Sequence, residues 1–209
     1  MLEQLEHPEI THLADLIAWA KDSTSQKKRL FLIENLAPLV LGIKPSVLMN
    51  VSYSDQVDWS KLKLLLTRPK ALQIREIRKL NGQLQVMFYQ KDLLDSVLSQ
   101  RAIQQFLRSL SYPTQYSLDS YLQVLKHRIL SRKFPHEIGV FLGYPLKDVL
   151  GFMGLQPLPY KRTQGWRIYG DERPSNEVYE NYRTARRMMR ALVEHIGDDG
   201  EQNAIGSEC

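Results

Sequence analysis

His136 and Glu137 stand side by side in the run Phe134 to Gly154, FPHEIGVFLGYPLKDVLGFMG, among Gly139, Gly143, Gly151 and Gly154. An imidazole titrates near physiological pH, and a carboxylate held against it orients it as a general base, so acid–base chemistry has its clearest foothold here. Adjacent helical positions point about 100° apart, so convergence of the two side chains requires irregular backbone or a third group. Tyr144, Lys161, Arg162, Tyr169 and Asp171 are the residues that a downstream loop and strand can bring to the pair, with Lys161 or Arg162 stabilising negative charge. The bland reading is a polar latch: Pro135 suits a first helical turn and Glu137 suits the dipole of that turn.

Several sharper chemistries fail on spacing. A zinc-protease helix needs a second histidine three residues after Glu137, and Val140 stands there, so no metal site is expected. The glycines do not form Gly-x-Gly-x-x-Gly, nor a loop ending in Gly-Lys-Ser or Gly-Lys-Thr, which argues against a nucleotide cradle. His136 alone can ligate a haem against Phe141 and Phe152, although those aromatics equally suit a core, and no particular cofactor is indicated. An anion can meet helix amides near Pro135 or Leu146, assisted by Lys133, Lys147, Lys161 or Arg162.

The combination of Phe134-Pro135-His136-Glu137-Ile138-Gly139, Phe141-Leu142-Gly143-Tyr144-Pro145, Asp148-Val149 and Gly151-Phe152 resembles the signature of the uncharacterised bacterial domain-of-unknown-function family 3793 (DUF3793). Lys44-Pro45, the Asn-Gly hairpin, Gly165-Trp166 and Tyr169-Gly170-Asp171 extend the resemblance over nearly the whole chain. It implies a cytoplasmic protein of mainly anaerobic bacteria and carries no established reaction.

The elements that must position these residues are legible from periodicity. Leu13, Leu16, Ile17 and Ala20, then Leu30, Ile33, Leu36, Ala37 and Val40, follow helical spacing, and Ser46 to Val51 reads as a short strand. Trp59, Leu62, Leu65 and Leu66 predict a third helix stopped by Pro69. Ala71–Leu80 and Gln83–Gln90 flank Asn81-Gly82, a type I′ hairpin signal that sets Ile77 opposite Val86 unless a bulge shifts the register. Helices follow from Asp92, expected as a cap, and from Ser117; Leu155 to Gly165 reads as an exposed loop and possible lid; Trp166–Tyr169 reads as a final strand. Ser175 is expected to cap a last helix whose inward line is Val178, Tyr182, Ala185, Met189, Leu192 and Ile196.

The whole is expected to be one α+β domain over residues 1–197, with a small, largely antiparallel sheet of four strands packed against several helices and a flexible tail at 198–209. The longest apolar run, Leu30–Ile43, carries Glu34, Asn35 and Pro38 and is too short to span a bilayer, so no membrane partner is expected. Glu3, Glu6 and Glu9 occupy positions where a secretory signal would be basic and apolar, which predicts a cytoplasmic location. Cys209, the one cysteine, excludes an internal disulfide.

A formal charge of +5 permits an anionic small molecule or a nucleic acid as partner, the latter through Lys27-Lys28-Arg29, Arg68–Lys79 and Arg183–Arg190. The reading preferred on sequence is a binding or accessory protein with a small-molecule pocket between the His136-Glu137 segment and residues Lys161 to Asp171. An enzyme using the His-Glu pair and a nucleic-acid adaptor are the alternatives.

Overall fold

The computed structural model describes residues 7–21, 26–52, 56–68, 72–131 and 133–202, with side chains described at 13–21, 26–52, 59–68, 72–131 and 133–195. Pro69, Ala71, the side chain of Ile196, and residues 203–209 with Cys209 lie outside this set.

Helices α1 (His7–Lys21) and α2 (Gln26–Val40) open the chain, followed by β1 (Ser46–Ser52) and α3 (Gln56–Thr67). The hairpin β2 (Leu72–Leu80) and β3 (Gln83–Gln90) comes next, joined by Asn81 and Gly82 with φ of 49° and 71°, the two positive values of a type I′ turn. The three strands form an antiparallel sheet in the order β1-β3-β2. Period-two alternation on the central strand drives the layering: Leu84, Val86 and Phe88 join a core built with α1, α2 and α3, while Met87 and Tyr89 join a second core on the opposite face. The result is a mixed α+β fold with a small antiparallel sheet covered by helices on both sides.

The register shifts between Glu76 and Arg78, so Glu76 pairs with Val86, Arg78 pairs with Gln85, and Ile77 is the extra residue of a bulge. That insertion turns Ile77 away from the Val86 face and into the core containing Met87. Of the two arrangements the sequence allows, the bulge is the one that buries Leu72 on one side and Ile77 on the other.

The second core is completed by α4 (Lys91–Leu98), α5 (Arg101–Ser109), α6 (Leu118–Leu130), α7 (Ile138–Phe141) and α8 (Leu146–Phe152). Ser117, after which a helix is expected, caps α6 by accepting from the Ser120 amide. Asp92 does not cap α4; Gln90 holds that position and Asp92 sits in the first turn, where its charge still suits the helix dipole.

Two further expectations are corrected. Trp166–Tyr169 does not join the main sheet: as β5 it pairs only with β4 (Tyr160–Gln164), which occupies half of the segment expected to be a loop. Alternating polar residues in Tyr160–Gln164 hide this strand from a hydrophobic pattern, because its side chains are nearly all solvent-facing. Ser175 does not cap the last helix, α9 (Arg173–Gln202), but lies inside it and is fully buried. The entry to α9 is held instead by Asp171, whose carboxylate accepts from the Arg173 amide.

The α7–α8 corner fixes the geometry of the focal segment. The Tyr144 amide donates to the Gly139 carbonyl at 2.9 Å and the Gly143 amide to the Val140 carbonyl at 3.1 Å, a Schellman closure with Gly143 at φ 77°. A side chain there would meet the Tyr182 hydroxyl at 2.5 Å and Pro45 at 2.6 Å, so the corner is locked between α9 and the start of β1. Gly143→Ala is expected to lower unfolding free energy by about 2–4 kcal/mol, from the left-handed backbone and the clash together. Urea denaturation with an unchanged m-value checks this; a loss under about 0.5 kcal/mol would show that the corner is not packed as described.

Candidate functional site

Glu137 and His136 part company at the start of α7. Glu137 is buried, with its Oε1 2.5 Å from the Arg128 guanidinium of α6 and 3.3 Å from the Tyr112 hydroxyl. Burial and then the neighbouring Glu137 carboxylate push the Tyr112 phenol well above its ordinary range, so Tyr112 stays a proton donor to that carboxylate. The two groups therefore tie α7 to α6 and to the loop before it. His136 is exposed on the other side of the backbone turn, its ring edge-on to Phe152 at 4.9 Å.

His136 lines a cavity of about 300 Å³ between α7, α8 and β5. Phe134, Leu142, Val149 and Phe152 supply apolar wall, Tyr144 and Trp166 supply aromatic wall, and Arg167 stands at the rim. The Tyr144 and Trp166 rings are stacked, with centroids 4.5 Å apart and planes inclined by 17°. The Arg167 guanidinium lies 5.3 Å from the centre of the Phe152 ring, so the two groups able to carry positive charge, His136 and Arg167, both rest against one phenyl. Phe134 and Phe152 remain 46% and 40% exposed, leaving apolar surface open at the mouth.

Asp148 is itself part of the lining, is 1% exposed, and holds the wall together. Its Oδ1 accepts from Lys147 Nζ at 2.6 Å and from the Tyr169 amide at 2.9 Å; its Oδ2 accepts from Trp166 Nε1 at 2.8 Å and from Ser175 Oγ at 2.6 Å. Lys147 spends its remaining donors on the Tyr169 carbonyl and Ser175 Oγ. One charge pair with every site filled thus joins α8, β5 and α9 and fixes the orientation of Trp166. In the sequence Asp148 stands out only as part of the motif, because a carboxylate between Lys147 and Val149 on a short helix gives no sign that Trp166, Tyr169 and Ser175 arrive as donors from downstream.

Of the other residues expected at the site, one joins His136 and four are placed elsewhere. Tyr144 is in the cavity wall with His136. Tyr169 packs its ring against Gly151, where an added Cβ would meet it at 2.6 Å, and does not line the cavity. Arg162 pairs with Glu172 and donates to Asn176, and Lys161 is exposed on β4; neither is in the cavity wall. Asp171 chelates Arg173, which holds its carboxyl down at about 2. The residues that periodicity under-read are Trp166 and Arg167, consecutive on a short strand and both at the cavity.

A second cavity of about 400 Å³ lies among Trp19, Lys27, Lys28, Met49 and Trp59. In the other two basic groups Arg68 pairs with Asp15, Arg75 with Asp119, Arg183 with Glu180 and Arg190 with Glu34. Among the described residues there is no cluster of three or more His, Cys, Asp or Glu fit to hold a metal, and no helix long and apolar enough to cross a membrane.

The sequence family described as "Protein of unknown function (DUF3793)" matches residues 32–198, a span that contains the whole first cavity and omits Trp19, Lys27 and Lys28 of the second. No curated protein and no solved structure matches the chain.

The separation of His136 from Glu137 has a measurable signature. Glu137→Gln is expected to cost about 2–3 kcal/mol and Asp148→Asn about 3 kcal/mol, because each leaves a cation facing a neutralised buried partner. His136→Ala is expected to cost less than about 1 kcal/mol. Chemical denaturation distinguishes this from a coupled pair, in which the two substitutions at 136 and 137 would carry similar costs and a double variant would be non-additive.

Proposed function

We propose that this chain, which belongs to the family described as protein of unknown function (DUF3793), binds a small apolar molecule with an anionic end in the cavity between α7, α8 and β5. The observation that carries the reading is the composition of that cavity: mainly aromatic and aliphatic walls, with His136 and Arg167 in the lining and neither in an ion pair among the described residues, while the one lining carboxylate, Asp148, is already matched by Lys147. A ligand body covering Phe134, Phe152 and the Trp166 face would remove apolar surface from water at roughly 25 cal/mol per Å². Arg167 would supply a planar donor fork to a carboxylate or a similar anion. The Asp148 network supports this role by holding Trp166 in place before a ligand arrives, which lowers the ordering cost of binding.

Acid–base catalysis by the His-Glu pair has less support. The Glu137 carboxylate is engaged by Arg128 and Tyr112, and the two cations offered for charge stabilisation, Lys161 and Arg162, lie outside the cavity wall. A base acting through His136 would need an orienting group supplied by the ligand itself.

The test uses Trp fluorescence and calorimetry with 2-naphthoate and its methyl ester as matched probes. The carboxylate is expected to bind at least ~10-fold more tightly than the ester, with Arg167→Gln erasing the difference and Phe152→Ala weakening both. Equal binding of the two probes, or a preference that survives Arg167→Gln, would remove the proposed orientation; no binding of either would remove the pocket.

A further inference from the structure

Lys44 lies between the end of α2 and β1 and is only 8% exposed. Its ammonium sits 5.3 Å from the centre of the Tyr144 ring and 4.8 Å from that of Tyr182. Arg186, a second cation, lies one helical turn beyond Tyr182 on α9, the helix whose tyrosine ring the ammonium covers, and the ion pairs among the described residues include neither cation. Arg186 is half-buried, with its Nε wholly enclosed and without a hydrogen-bond partner. The Tyr182 hydroxyl is already committed, donating to the Gly143 carbonyl at 3.1 Å.

Two like charges in one partly desolvated neighbourhood are unfavourable twice over, once for lost hydration and once for mutual repulsion. The chain avoids this elsewhere: its buried carboxylates, Glu137 and Asp148, each have a cation within hydrogen-bond distance. Tyrosine rings offset part of the ammonium's lost hydration but leave the inward edge of the guanidinium without an acceptor. The shortfall is one negative charge with acceptor oxygens, located where α9 passes the end of α2.

We propose that Lys44 and Arg186 together bind a small oxyanion, a phosphate or a carboxylate, free or as the charged end of a larger molecule, beside Tyr144 and Tyr182. Arg186 offers in-plane donors and Lys44 a point charge, the usual division of labour between these side chains at an oxyanion. Neither cation lines the apolar cavity, so this site stands whether or not that cavity holds a ligand. The groups facing Lys44 are Tyr144 from the α7–α8 corner and Tyr182 and Arg186 from α9; burial pushes both phenols up, so they remain neutral and add no competing negative charge.

Burial, and then Arg186, lower the Lys44 ammonium to about 8 in the unliganded protein. The charged form that an anion needs is therefore present below that pH and lost above it, so binding is strong at pH 7 and weakens as pH rises through 8 and 9.

The experiment is a thermal-unfolding titration of the full chain in Tris chloride at pH 7 and pH 9, adding sodium phosphate or sodium acetate against sodium chloride at matched ionic strength. At pH 7 at least one oxyanion is expected to give a saturating rise of roughly 3–5 °C beyond chloride, reduced by half or more at pH 9. Preference for phosphate assigns a phosphate group, and preference for acetate assigns a carboxylate. Lys44→Met and Arg186→Gln are each expected to abolish the rise. Lys44→Met should also melt in chloride alone at or above the wild-type temperature, since it removes a buried unpaired charge. A response no larger than chloride for both oxyanions, or a wild-type response in Arg186→Gln, overturns the site even if Lys44→Met fails to fold.

Discussion

The Asp148 carboxylate is the constraint on which the half of the molecule holding the candidate site depends. Its neighbours come from three elements that share no sheet and no continuous helix: Lys147 beside it, Trp166 and Tyr169 on β5, and Ser175 inside α9. The β4–β5 hairpin is too small to be stable alone, and its outer face is polar, so its position rests on what β5 touches. Through the Tyr169 amide and the Trp166 indole, one buried anion sets where that hairpin sits, and with it one wall of the cavity. Packing adds to this, since Ile168 is fully buried between the same two carboxylate contacts.

The molecule treats its buried charges in two ways. Glu137 and Asp148 are matched to cations and hydrogen-bond donors, and their work is to join α7 to α6 and α8 to α9. Lys44, over the Tyr182 ring, and Arg186, one turn further along α9, have no such match among the described residues. Tyr144 stands between these two worlds, stacked on Trp166 in the cavity wall and lying under the Lys44 ammonium. Its conformation is fixed by the Schellman closure at Gly143, so the backbone of the α7–α8 corner positions the aromatic surface that the two neighbourhoods share.

Much of the architecture was legible in the residue order because it is written in local periodicity. The helices around Leu16, Leu36, Leu62 and Tyr121, the strand at Ser46, and the Asn81-Gly82 turn all follow from spacing and turn chemistry. The focal glycines were legible as unusual but not as what they are. Gly143 and Gly154 close helices, the latter through Leu155 donating to Leu150, whereas Gly139 and Gly151 admit the side chains of Val149 and Tyr169. Short polar β4 escaped because a strand with no buried face has no hydrophobic alternation. His136 and Tyr144 do share a cavity, but the destination of Glu137 was invisible: Arg128 and Tyr112 come from helical and loop positions whose approach no spacing rule encodes. Lys44 and Arg186 carried a fainter signal, a lysine between Ile43 and Pro45 and an arginine four residues beyond Tyr182 on the same helical face.

The bulge at Ile77 also bears on how the chain behaves in a crowded solution. Strand β2 is an outer strand of the three-stranded sheet, and a regular outer strand offers its unpaired amides and carbonyls as a template for another copy. The inserted residue breaks that regularity midway, and beside it Lys126 of α6 donates to the Glu76 carbonyl, occupying an acceptor of the strand. Two such strands brought together would meet with mismatched hydrogen-bond spacing, so the kink that buries Ile77 also disfavours edge-to-edge self-association.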